Sequence, residues 1–119
     1  MVVLVVEDDD DLRGMVAEAL GVDGATVMTA SDGAEALATL AITIVDVIVL
    51  DMLMPNMNGL EFLQRRAEDA RTRDIPVIVF TGTTSIEHAG FGVDVTLHKP
   101  CSPEELLATF HRIGKQRPK

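Results

Sequence analysis

A carboxylate, Asp51, closes the apolar run "VIVL" at residues 47–50 and opens the turn-rich stretch "DMLMPNMNG". Desolvating an unpaired carboxylate is costly, so a charge at the mouth of a buried strand needs a partner or a chemical task. Glu7 and Asp8 follow the aliphatic run "VVLVV" in the same way. Thr81 and Gly82 follow "PVIVF", and Lys99 and Pro100 follow "VDVTLH". These are carboxylates, a hydroxyl, a small residue beside which a backbone N–H can approach closely, and a compact ammonium. Gathered around Asp51, they form a clamp for a phosphoryl group in transfer. Crowded carboxylates repel one another, and a hard divalent cation relieves the conflict. Mg²⁺ suits such oxygen donors best, because it takes one or two carboxylates, keeps several waters and shares a substrate phosphate; Mn²⁺ is the second candidate. Asp51 is then the nucleophile, giving an acyl phosphate.

For these residues to meet, the chain must bring the ends of several strands to one edge. Short β-branched runs at Val2–Val6, Thr26–Thr29, Val47–Leu50, Val77–Phe80 and Val93–Leu97 alternate with segments of helical spacing. Leu12, Met15, Val16, Ala19 and Leu20 make one apolar stripe of the first helix. Asp32 and Glu35 read as a capping pair for a second helix that starts near Ser31 and buries Leu37 and Leu40. A third begins about Gly59 with Leu60 and Leu63 facing inward, and a fourth, around Ile86 to Phe91, is short. Ser102, Pro103 and Glu105 start the last helix, whose apolar face is Leu106, Leu107, Phe110 and Ile113. Residues 114–119 form a polar tail. The alternation predicts an α/β domain with a five-stranded parallel sheet and helices on both faces. In a doubly wound sheet ligands bind beyond the carboxyl ends of the strands, where strand order reverses. An order of 2-1-3-4-5 makes the first and third strands neighbours and brings Asp8 to Asp51. The apolar connection "LAITIVD" at residues 40–46 reads as helix end and core, with an exposed contact patch as the alternative.

Composition sets limits. With 119 residues the chain is a single domain, and with no Trp or Tyr and four Phe its core is aliphatic. A net charge of −9 argues against direct nucleic-acid binding. No apolar run approaches a spanning helix, and a lone Cys101 fits a reducing cytoplasm. Cys101 reads as a packed small side chain. His88, His98 and His111 are too scattered for a zinc site, and Asp9, Asp10 and Asp11 are helix-start charges rather than ligands. Met52, Met54 and Met57 are filler or a docking surface around Asp51.

"VLVVEDD", "VIVLDMLMPNMNG", "PVIVFTG" and "LHKP", in this order, resemble the receiver domain of two-component response regulators, of the chemotaxis-regulator type. The resemblance covers nearly the whole chain, residues 1–119 as one receiver, and implies the flavodoxin-like form of the doubly wound fold. It implies that Asp51 is the phosphoacceptor, and that Asp8 and Asp51 bind Mg²⁺ directly with the main-chain carbonyl of Leu53. It implies too that Glu7 acts mainly through bound water. It further implies that Thr81 turns toward the phosphoryl group beside Gly82, that Lys99 pairs with it, and that the Lys99–Pro100 bond is cis. The donor implied is a sensor histidine kinase or a histidine phosphotransfer protein. The output is altered binding to a downstream protein, in a chain that stands alone or is part of a longer regulator. It catalyses only its own phosphorylation and dephosphorylation, without membrane insertion.

Two departures bear on the output face. Thr96 stands where receivers usually carry an aromatic residue, and the segment from Thr81 to Lys99 is about one helical turn short. A docking surface nearer the first helix is one substitute. Leu53 cannot orient an attacking water, which predicts slow loss of the phosphoryl group. A haloacid-dehalogenase-type phosphatase would need an acid at position 53, and a flavin phosphate would be repelled by "EDDDD". The remaining alternative is a degenerate receiver, a phosphorylation-independent interaction module, against which stands the filling of every matching catalytic position.

Overall fold

The computed structural model describes residues 1–22, 24–51, 59–81 and 93–98, with 104–105, 108–109 and 111–112 of the final segment. The elements are β1 (Val2–Val6), α1 (Asp10–Val22), β2 (Thr26–Ala30), α2 (Gly33–Ile42), β3 (Val47–Leu50), α3 (Gly59–Ala67), β4 (Val77–Thr81) and β5 (Val93–His98). All pair in parallel in the order β2-β1-β3-β4-β5. Strand positions match the sequence expectation, with β2, β4 and β5 each one residue longer at the carboxyl end. The expected fourth helix, the capping residues Ser102 and Pro103, and the last helix's apolar face lie outside the described residues.

Strand alternation sorts the core into two layers, because successive side chains point to opposite faces. Leu4 and Val6, Ile48 and Leu50, and Val77 and Val79 pack with α2 and α3 through Ala36, Leu40, Phe62 and Leu63. Val3, Val5, Val47, Val49 and Ile78 pack with α1 through Val16 and Leu20. Helices therefore cover both faces. Residues 47–50 are buried throughout, as an aliphatic strand between two helical layers requires.

Local chemistry sets the helix ends. Asp9 caps α1 by accepting the Leu12 N–H at 3.0 Å, and Asp10 and Asp11 lie in its first turn, where the dipole favours them. The helix stops through paired bonds from Gly24 N–H to the Gly21 carbonyl (3.0 Å) and from Ala25 N–H to the Leu20 carbonyl (3.2 Å). That closure needs a left-handed residue, and Gly24 supplies it at φ 97°. Helix α2 starts at Gly33, near Ser31 as expected, with Asp32 as its cap accepting the Glu35 N–H at 2.8 Å. Glu35 answers by accepting the Ser31 N–H at 3.2 Å, one residue before the cap.

Two readings need correction. Met15, assigned to the buried stripe of α1, is 49% exposed, because the stripe centred on Val16 and Leu20 is narrower than the sequence spacing suggested. In "LAITIVD", Leu40 and Val45 are buried but Ile42 and Ile44 are 85% and 89% exposed, since the chain leaves the helix and alternates its side chains on the way into β3. In α3, Phe62 is fully buried with Leu63, while the side chain of Leu60 lies outside the described residues. Arg66 is also buried. It donates from Nη2 to the Ile75 carbonyl while its own carbonyl accepts the Thr72 hydroxyl at 2.7 Å, tying the end of α3 to the approach to β4.

Candidate functional site

The carboxyl ends of β1 and β3 lie side by side, because Val6 pairs with Leu50. The next backbone bonds fix the residues that follow. Asp51 N–H donates to the Val6 carbonyl at 2.9 Å, and Glu7 N–H donates to the Ala30 carbonyl of β2 at 3.1 Å. Glu7 and Asp51 are therefore delivered by the sheet itself and are both buried, at 2% and 4% exposure. Asp8 stands between β1 and the cap of α1 and is exposed. One carboxylate oxygen from each of Glu7, Asp8 and Asp51 falls within 4.8 Å of the others. Asp51 therefore meets two further carboxylates, a charge conflict of the kind that a divalent cation relieves.

Hydrogen bonds tie the link between β1 and α1 together. Asp9 N–H donates to Glu7 Oε2 at 3.2 Å, and Asp9 then caps α1. Arg13, one turn into the helix, donates from Nη1 to the Glu7 carbonyl at 2.9 Å and pairs through Nη2 with Asp10. The sequence reading did not single out Arg13. Its only signal was the Asp10–Arg13 spacing, which is ordinary on a helix surface.

Of the other expected site residues, Thr81 is the last residue of β4, and its backbone pairs in register with His98 at the end of β5. That pairing brings the carboxyl ends of β4 and β5 together on the edge that carries Asp51. The side chain of Thr81, together with Leu53, Gly82, Lys99 and Pro100, lies outside the described residues. Three hard oxygen donors from three carboxylates, two of them buried, fit a small divalent cation and no soft metal.

The family model for the response regulator receiver domain matches residues 3–111. The chain is a response-regulator receiver domain. Response regulator MprA of Mycobacterium ulcerans (strain Agy99) is 39% identical over 115 residues, covering 93% of this receiver and 49% of the relative. The receiver thus spans about half the length of the curated relatives it matches. The chemotaxis protein CheY4 of Vibrio cholerae shares its fold at a TM-score of 0.88 with 37% identity, over 94% of this receiver and 97% of that chain. The receiver domain of Francisella response regulator 1452 gives a TM-score of 0.88 at 30% identity, over 97% of each chain. The resemblance carried by the quoted motifs is therefore borne out, and so is the doubly wound, chemotaxis-regulator-like fold. Among the described residues, no helix is long and apolar enough to cross a membrane.

Proposed function

We propose that this receiver accepts a phosphoryl group on Asp51 from a phosphohistidine of a sensor histidine kinase or a histidine phosphotransfer protein, in a Mg²⁺-dependent step. The supporting observation is the convergence of Glu7, Asp8 and Asp51 at the ends of two adjacent strands, inside a family-matched receiver. An Asp51 carboxylate oxygen attacks phosphorus, the phosphorus–nitrogen bond of the donor breaks, and the donor imidazole leaves with the bonding pair and takes up a proton. The product is an acyl phosphate on Asp51.

Asp8 and Asp51 would hold the cation directly with the Leu53 carbonyl, and Glu7, buried and accepting the Asp9 N–H, would act mainly through bound water. Bound Mg²⁺ supplies positive charge for the phosphoryl oxygens as they approach an otherwise acidic cluster. Lys99 would pair with the phosphoryl group as a compact positive charge. The Gly82 N–H and the Thr81 hydroxyl donate to its oxygens. The turn of Thr81 toward the phosphate links chemistry to output, by favouring one of two pre-existing states and shifting partner binding. Beyond this self-modification the receiver is not an enzyme, and its downstream target is a protein.

Incubation with acetyl phosphate followed by intact mass measurement tests the proposal. Wild type should gain one phosphoryl group with Mg²⁺ and none with chelator, and Asp51→Asn should gain none in either. A folded protein that stays unmodified with Mg²⁺ would refute it.

A further inference from the structure

We propose that Arg13 is a positioning residue that aims the Glu7 and Asp8 carboxylates at the divalent cation. The inference rests on the cation reading of the acidic cluster given above. Glu7 is the last residue held by the sheet, through its N–H bond to the Ala30 carbonyl. Its carbonyl points out of the ladder, and Arg13 Nη1 meets it at 2.9 Å. Its carboxylate accepts the Asp9 N–H. The link that follows, Asp8, is exposed and lies between two fixed points: a Glu7 carbonyl clamped by Arg13 and an Asp9 side chain committed to capping α1 at 3.0 Å. Release of the first point frees the peptide between Glu7 and Asp8 to rotate, and with it the direction of both carboxylates.

The ion pair with Asp10 does not account for Arg13 being there. Asp10 is 85% exposed at its side chain, and pairs of that kind contribute little to stability. The Arg13 side chain is only 21% exposed, and its planar fork serves the carbonyl with one arm and the carboxylate with the other. The guanidinium at the Glu7 carbonyl also puts one positive charge next to the acidic loop, which moderates carboxylate repulsion before a cation arrives. Groups that orient metal ligands from behind set affinity strongly even though they never touch the ion.

The test is calorimetric titration of the folded protein with MnCl₂ and MgCl₂, since the chain has no Trp or Tyr to report binding by fluorescence. Arg13→Met keeps the aliphatic stem and removes every donor, and it should weaken cation binding by roughly 10-fold or more. Arg13→Lys, with one ammonium able to reach the Glu7 carbonyl, should recover most of the loss. Val16→Ala, a buried α1 residue away from the loop, should lower thermal stability and leave cation affinity unchanged. If Arg13→Met does not fold, Arg13→Gln is measured instead, and it should weaken binding by about 5-fold or more. Arg13 variants that bind within about twofold of wild type, while Asp8→Asn abolishes binding, overturn the role of Arg13 and leave the cation site standing. A wild type that binds neither cation overturns both.

Discussion

Replacing Asp51 by asparagine should stabilise the receiver without metal and destabilise it, relative to wild type, with metal. Oxygens of Glu7, Asp8 and Asp51 lie within 4.8 Å of one another. At that separation two unit charges repel by about 3.5 kcal/mol at an effective dielectric constant of about 20, and by about 0.9 kcal/mol in water. Glu7 and Asp51 are buried, so their repulsion lies between these limits, whereas exposed Asp8 sits near the lower one. Asparagine keeps the backbone bond to the Val6 carbonyl, and weakening of the polar interaction that the Asp51 carboxylate makes is an offset of about 1.5–3 kcal/mol for a charged group. The balance leaves a gain of about 1 kcal/mol, or about 4 °C in melting temperature for a domain of this size. With Mg²⁺ at about 100 times its dissociation constant, wild type gains about 2.7 kcal/mol. The variant, short of one carboxylate, gains far less, so the order of the two melting temperatures reverses. Thermal melts followed by circular dichroism, in chelator and in Mg²⁺, supply both numbers. A variant that melts below wild type in chelator, or a Mg²⁺ response equal in both proteins, would refute the repulsion argument.

Three further outcomes follow from the same structure. Asp46 holds the start of β1, with its Oδ2 accepting the Val2 N–H at 2.7 Å and its own N–H donating to the Val2 carbonyl at 2.8 Å. Asp46→Ala should cost about 1.5 kcal/mol, seen as a lower urea midpoint at unchanged slope. On the surface, the side-chain and backbone bonds from Arg71 hold the Asp69 carboxyl below its ordinary value, and Asp69 in turn raises Arg71. A depressed carboxyl contributes stability above its unfolded value of 3.8 and loses it as pH falls through the folded one. An NMR titration should place Asp69 below 3.8 in wild type and move it up toward that value in Arg71→Ala, which removes the guanidinium but keeps the backbone N–H bond. Finally, Leu53→Asn should shorten the lifetime of the phosphorylated receiver, read by the decay of its intact-mass signal; decay no faster than in wild type would count against the proposed link between Leu53 and slow hydrolysis.

Much of the architecture was legible because strand burial leaves a strong mark. Continuous aliphatic runs such as "VIVL" stand out in sequence, and their alternation with helical spacing leaves few topologies. The acidic cluster was legible for the same reason: Glu7, Asp8 and Asp51 each break an apolar run at its carboxyl end, which is where the sheet collects them. The unread features depend on three-dimensional closeness that no local pattern encodes. Met15 fits the helical stripe by spacing, yet only the shape of the sheet beneath decides that Val16 and Leu20 are covered and Met15 is not. Ile42 and Ile44 read as core by hydropathy, and their exposure follows from the path of the connection into β3. Arg66 in "QRRAED" carries no local mark of burial, which comes with the Ile75 carbonyl and the Thr72 hydroxyl that reach it from the connection following α3. Arg13 is similar: its partner is a main-chain carbonyl, which has no sequence signature.

The central claim is that the cluster at the ends of β1 and β3 receives its phosphoryl group on Asp51. The most direct measurement is site mapping: phosphorylation with acetyl phosphate and Mg²⁺, borohydride reduction of the acyl phosphate to the alcohol, and tandem mass spectrometry of the peptides. The account predicts homoserine at position 51 alone, and only in samples that contained the metal. Homoserine at Asp8, or phosphorylation retained in Asp51→Asn, would contradict it.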